Sequence, residues 1–221
     1  MQTLAKSDGR KKEKKKLSKA TNHIEAVVSS SAIGWYGPDR PLESKEFTEA
    51  DPAYSDFLGQ TCLLWEQSIE PVLSFHKRLV KIRTGIVLSN DGGALAEFKK
   101  PLRFGFAAIL ASGKQVISWI HIDDLVRAYI YAIENTQLNG TYNIVGPRPI
   151  NNKELVIQLA HSRKGKFYVP VHVPAFVLKI MLGEMSIEVL KSTTVDCRKL
   201  HATGFTFLYP DIQSAIEALN K

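Results

Sequence analysis

Leu79-Val80-Lys81-Ile82-Arg83-Thr84-Gly85-Ile86-Val87-Leu88 is an apolar, β-branched run of the kind that forms a strand covered on both faces. Upstream, Ile24-Glu25-Ala26-Val27-Val28 is a second short apolar run, stopped by Ser29-Ser30-Ser31 and then by Gly34 and Gly37. Between the two, Leu58, Cys62, Trp65 and Ile69 recur at the spacing of one helical face, with Asp56 placed to cap it and Pro71 placed to kink or restart it. Strand, helix, strand across such a crossover is the pattern of a right-handed parallel unit. Both strands then share one sheet, with their carboxyl ends on one edge.

The alternation continues downstream. After the turn Asn90-Asp91-Gly92-Gly93, a helix is expected from about Ala94, followed by the strand-like run Val116-Ile117-Ser118-Trp119-Ile120. Asp123 or Asp124 then caps a helix whose face is Leu125, Val126, Tyr129, Ile130 and Ile133, closed by Asn139-Gly140. Thr141 to Val145 reads as a strand, and Asn151 with Glu154 resembles a capping box for a helix through about His161. Beyond Pro170 the pattern turns more helical, with Pro174 at a helix start and a last helix from about Asp211 to Leu219.

The chain has 221 residues, 44% of them hydrophobic and 23% charged, which suits a globular core and excludes collagen-like, disulfide-scaffold and disordered classes. Its net charge of +7 is local: residues 1–20 hold seven Lys and one Arg against Asp8 and Glu13, so six of the seven positive charges lie there. The body is close to neutral, and the basic tail is expected to be solvated and disordered. Cys62 and Cys197 stand apart without a Cys-x-x-Cys partner, which points to a reducing, cytoplasmic setting. The longest apolar stretch, Val171 to Leu182, is broken by His172, Pro174 and Lys179, so no membrane span is expected.

Several chemistries find no support. Gly113-Lys114 lacks the Ser or Thr and the earlier Gly of a phosphate loop, no two histidines are four residues apart for a helical zinc site, and Gly-x-Ser-x-Gly is absent. No metal ligands are assigned. The sequence also contains no Gly-x-Gly-x-x-Gly, the fingerprint whose glycines let a backbone approach a pyrophosphate.

Ser29-Ser30-Ser31-Ala32-Ile33-Gly34-Trp35-Tyr36-Gly37, Ile82 to Leu88, and Trp119-Ile120-His121-Ile122-Asp123-Asp124-Leu125 occur in the order found in a known family. From about His23 onward the chain resembles the extended short-chain dehydrogenase/reductases of the NAD(P)-dependent epimerase/dehydratase type. Within them it is closest to the "epimerase family protein" subgroup with its small C-terminal domain, matched by Val173-Pro174-Ala175-Phe176, Leu182-Gly183-Glu184-Met185 and Gly204-Phe205-x-Phe207-x-Tyr209-Pro210. The resemblance implies an α/β fold: an incomplete Rossmann-like, doubly wound, mostly parallel sheet over residues 23–170. A small mixed α/β and helical domain follows over 171–221, with 1–22 as the tail. It departs from the family in two ways. The basic tail stands where members carry a βαβ half with the glycine fingerprint, and the Tyr-x-x-x-Lys pair is absent, its place falling at Leu58 and Cys62.

What the resemblance implies for function is an atypical NADP-linked oxidoreductase or epimerase exchanging hydride with an unidentified small molecule. Cofactor binding by this chain is expected to be weak or absent, because the diphosphate contacts are missing. Ser31 resembles the family serine that hydrogen-bonds a substrate oxygen, and Tyr36, spaced four residues from Arg40, is the candidate proton donor. Ser30, Arg83, Thr84 and Gly85 fall on the nicotinamide side, and Trp119, His121 and Asp124 on the substrate side. Packing explains the strand and loop positions as well, and helix capping explains Asp124. Two alternatives stay open: a noncatalytic interaction module, including self-association through an exposed sheet edge, and polyanion binding through residues 6–19. Specific nucleic-acid recognition is not expected.

Overall fold

The computed structural model describes residues 23–39 and 45–220; the basic tail and Arg40 lie outside them. β1 (Ala26–Ala32) leads through a 3-10 turn at Ile33–Trp35 to α1 (Phe57–Ile69), a 3-10 segment at Glu70–Phe75 and β2 (Arg78–Thr84). Then come β3 (Ile86–Leu88), α2 (Ala94–Leu102), β4 (Phe106–Leu110), β5 (Val116–Ile117), β6 (Trp119–His121), α3 (Ile122–Glu134) and β7 (Gly140–Ile144). The remainder is β8 (Ile150–Asn151), α4 (Asn152–Lys164), β9 (Val169–Val173), α5 (Ala175–Leu182), α6 (Met185–Leu190), α7 (Arg198–His201) and α8 (Ile212–Ala218).

β1, β2 and β7 form a parallel sheet in the order β1-β2-β7, as expected of the crossover. Side chains alternate across it, so the two faces of β2 meet different partners. Leu79 packs with Ile69 and Val72 on the α1 side, whereas Val80 and Ile82 pack with Ala128 and Ala132 of α3 on the other. α1 begins where expected: Asp56 accepts the Gly59 N–H at 2.7 Å, and Pro71 sits in the first turn of a new 3-10 segment rather than kinking the helix.

The run from Leu79 to Leu88 is not one strand. It breaks at Gly85, whose N–H bonds Ile144 while Ile86 bonds Ser118, so the chain passes from one sheet into another, where β3 pairs with β6. A Cβ at Gly85 would lie 2.7 Å from the Ser118 carbonyl and 2.8 Å from Val145, so only glycine fits the crossing.

Two expectations for α3 are corrected as well. Its cap is His121, whose Nδ1 accepts the Asp123 N–H at 3.1 Å, and neither aspartate serves. Its close contact with the sheet is made by the small Ala128 and Ala132, so the branched Val126, Ile130 and Ile133 are left 49%, 48% and 60% exposed. Asn151 caps α4 as expected, accepting the Glu154 N–H at 2.8 Å.

β4 and β9 pair in parallel, and α8 returns to pack on α4. Leu155, Leu159, Ile212 and Ile216 share one core with Leu88 and Trp119, so the last helix is anchored on β3 and β6. The whole is a mostly parallel α/β fold of Rossmann type. We expect Gly85→Ala to destabilise the chain by about 1–3 kcal/mol through the forced shift of backbone at Ser118. Urea unfolding would show this as a lower midpoint with an unchanged slope.

Candidate functional site

The register of the three-stranded sheet sets Ser31, Arg83 and Asn143 side by side, one from each strand, at the carboxyl ends where α/β folds place ligands. All three are buried, and their side chains meet on the α1 side of the sheet. Two further residues complete the row. Glu66 comes from α1, on the helical face of Cys62 and Ile69, and Tyr36 comes from the turn after β1.

The row is one hydrogen-bonded unit. Arg83 grips the Glu66 carboxylate with both sides of its guanidinium, Nε to Oε1 at 2.8 Å and Nη2 to Oε2 at 3.2 Å. Ser31 donates to the same Oε1 at 2.9 Å, and Lys81 stands 3.4 Å from Oε2. Arg83 Nη1 donates to the Tyr36 hydroxyl at 3.0 Å, and that hydroxyl donates to Asn143 Oδ1 at 2.7 Å. Asn143 is held in turn by its Nδ2 bond to the Asp196 carbonyl and by its backbone N–H to the Glu49 carboxylate at 2.8 Å. The guanidinium also lies 3.6 Å from the centre of the Trp35 ring, and Tyr36 stacks on Phe47.

Charge and burial set the protonation states. Burial pushes the Tyr36 phenol up to about 12, outweighing the pull of Arg83, so at neutral pH it holds its proton towards Asn143. Burial also disfavours the Glu66 carboxylate, but Arg83, Ser31 and Lys81 together hold it below the usual glutamate range. Ser31 has committed its own hydrogen to Glu66, so it offers lone pairs to any further neighbour.

The sequence-derived candidates fall into two groups. Ser31, Tyr36 and Arg83 come together here, and the cation beside Tyr36 is Arg83; Arg40 lies outside the described residues. Thr84 and Gly85 follow Arg83 at the same sheet edge, while Ser30, itself exposed, points to the opposite face, on which α3 packs. Leu58 and Cys62, on α1, pack against Gly34.

Trp119, His121 and Asp124 form a separate cluster with the C-terminal segment. Asp124 is fully buried, pairs with Arg127 at 2.8 Å and accepts the backbone N–H groups of Leu208 and Tyr209 at 2.8 and 2.9 Å. The His121 ring stacks on Tyr209 with centroids 3.9 Å apart, burial lowers its pKa, and its Nε2 is buried without a hydrogen-bond partner. The Trp119 indole donates to the Arg148 carbonyl at 2.9 Å. Among the described residues no hydrogen bond joins this cluster to the Ser31 row, and no group of three His, Cys, Asp or Glu side chains is arranged to hold a metal ion.

Glu66, Asn143 and Glu49 were not among the sequence-derived candidates. For Glu66 a signal existed, since an acid four residues after Cys62 and three before Ile69 must fall on the buried face. Replacing it leaves Arg83 charged and unpaired in the core, so Glu66→Gln is expected to destabilise the fold by about 3–5 kcal/mol. Because its folded pKa is depressed, Glu66 contributes fully above the ordinary glutamate range, and that contribution disappears as pH falls through the folded value. The variant should therefore lose stability less steeply on acidification, as thermal melts over a pH series would show.

Residues 173–219 match a family described as Domain of unknown function (DUF1731). The chain is 38% identical over 197 residues to an epimerase family protein of Staphylococcus saprophyticus, covering 88% of this chain and 64% of that protein. It is 37% identical over 203 residues to the Staphylococcus haemolyticus counterpart, covering 92% and 67%. Among solved structures, a human epimerase family protein crystallised with NADPH superposes with a TM-score of 0.87 at 25% identity, over 98% of this chain and 72% of that one. A nucleoside-diphosphate sugar epimerase from Corynebacterium glutamicum gives 0.70 at 28% identity, over 98% and 40%. The chain thus spans about two thirds of the length of the curated relatives it matches. On sequence, on fold and on its C-terminal domain, the chain belongs to the epimerase family of short-chain dehydrogenase/reductase-type proteins.

Proposed function

We propose that this chain carries the nicotinamide-facing and substrate-facing portion of an NADP(H)-linked oxidoreductase or epimerase site, and that a βαβ unit bearing the glycine fingerprint completes it by pairing with β1. The observation that carries this reading is the edge of β1 opposite β2, together with the apolar surface that α1 and α3 leave beside it. Among the described residues β1 pairs with β2 alone, and the two helices packed on it, α1 and α3, leave Leu64 and the Val126, Ile130 and Ile133 stripe exposed. A strand added to that edge, with its own helices, would cover both. The human relative solved with NADPH supports the choice of cofactor.

The residues present fit one end of a dinucleotide only. The carboxyl edge supplies Ser31, Thr84 and Gly85, but the sequence holds no Gly-x-Gly-x-x-Gly to cradle a diphosphate. The roles assigned to the chain's own residues follow from their hydrogen bonds. Ser31, its hydrogen held by Glu66, accepts from a substrate hydroxyl and orients it. Tyr36 acts as a positioning residue that fixes Arg83 against Asn143, because its raised pKa opposes proton release at neutral pH. His121, Asp124 and Trp119 brace the substrate side by tying β6 and α3 to the C-terminal segment.

The test is an NADPH titration followed by tryptophan quenching. The chain alone is expected to show no saturation below millimolar cofactor, whereas a glycine-fingerprint βαβ segment joined ahead of residue 23 should bring saturation into the micromolar range. Ile130→Lys, on the exposed stripe, should weaken that gain without unfolding the chain. Micromolar binding by the unaided chain would overturn the reading. Concentration-dependent dimers, broken by the same Ile130→Lys change and indifferent to the added segment, would instead favour self-association through this edge.

A further inference from the structure

Elsewhere on the molecule, the carboxyl ends of α2 and α4 and Asn220, two residues beyond α8, surround an open cleft of about 360 Å³ that includes Arg103, Arg163, Lys164 and Ser162. A second hollow of about 450 Å³ shares Arg103, Arg163 and Asn220 with it and adds Lys99 and Lys100. None of these residues belongs to the Ser31 row. Five cations therefore line these two adjoining hollows. Of these, Lys100 is engaged by Glu97 at 2.7 Å.

The other four have no carboxylate partner among the described residues, and what holds them is neutral. Lys99, only 8% exposed, is bonded to the amide oxygen of Asn90, which is itself fixed by donating to the Leu219 carbonyl at 2.8 Å. Arg163 Nε donates to Asn220 Oδ1 at 3.3 Å, and Asn220 Nδ2 donates to Ser162 Oγ at 2.5 Å.

Cations at helix carboxyl ends are ordinary, since the helix dipole stabilises each by about 0.3–1 kcal/mol. That accounts for exposed Arg103 and Lys164. It does not account for a nearly buried ammonium facing a guanidinium, an arrangement in which burial and the like charge of Arg163 both push the Lys99 pKa down. A nearly buried cation on a neutral hydrogen-bonding prop, with further cations converging from the rim of an open cleft, is the arrangement of an anion site. We propose that these adjoining hollows bind a phosphate or diphosphate group, with Lys99 as the inner contact and Arg163, Arg103 and Lys164 at the exposed rim. Arginine favours phosphate for the match of its planar donors to paired oxygens, and four uncompensated charges suit a multiply charged anion better than a lone carboxylate.

The experiment titrates inorganic pyrophosphate, and separately ADP, into the full chain by calorimetry in chloride buffer. Saturable one-to-one binding is expected. Equal affinity for both probes would mean that only the phosphates are read, and tighter ADP binding would mean an esterified ligand; either outcome supports the site. Lys99→Met should weaken binding about tenfold or more, and Arg103→Gln, an exposed change that leaves the core untouched, should weaken it severalfold. A chain with Lys11, Lys12, Lys14, Lys15 and Lys16 changed to Gln should bind as before. Absence of saturable binding, or binding that survives Lys99→Met and Arg103→Gln but disappears with the tail substitutions, would overturn the proposal.

Discussion

The pairing of Arg83 with Glu66 joins the middle strand of the sheet to the helix that crosses it, and the carboxyl edge is organised around that pair. A guanidinium and a carboxylate withdrawn from water are tolerable only if nearly every donor and acceptor is met, and here the surroundings meet them. Ser31, Tyr36 and Lys81 bond or abut the pair, Asn143 continues the chain of hydrogen bonds, and Trp35 covers the flat face of the guanidinium. The strand register needed to bring these together is the same register that buries Val80 and Ile82 on the opposite side. Core and site thus depend on one alignment of β1, β2 and β7.

That alignment was legible in the sequence because its signals are local. An aspartate at position 56, Asn151 with Glu154, and proline at a helix start each report on their own segment and act as expected, whereas the apolar runs mark strands without their limits: Leu79 to Leu88 and Val116 to Ile120 are each divided between two sheets, and β1 continues through Ser29, Ser30 and Ser31. What escaped notice depends on residues far away in sequence. The break at Gly85 is imposed by the carbonyl of Ser118, and the cap of α3 is a histidine ring whose orientation is set by stacking on Tyr209. The outer stripe of α3 looked like core because periodicity identifies an apolar face without saying how much of it finds a neighbour. The site shows the same division. Ser31, Tyr36 and Arg83 were visible through motif resemblance, while Glu66 and Asn143 became visible only when the sheet set them in one row.

The phenol of Tyr36 beside a cation resembles, in its chemistry, the pair that this family places on the long helix. Its origin differs, since the tyrosine comes from a turn and the cation from a strand. So does its tendency: deep burial outweighs the guanidinium, and the proton stays on oxygen. With its pKa raised, Tyr36 is better suited to hold Arg83 and Asn143 in place than to exchange its hydrogen at neutral pH.

β1 has one more property. Its sequence, Ala-Val-Val-Ser-Ser-Ser-Ala, contains none of the lysines or prolines with which natural proteins guard an edge strand. A strand of this composition is a ready template for an extended segment, and the apolar outer stripe of α3 beside it adds adhesion without selectivity. In a crowded solution the chain would therefore be governed by its colloidal behaviour as much as by its folding equilibrium. Its useful lifetime would shorten with concentration, and a chaperone or a dedicated companion would act on it as a gatekeeper.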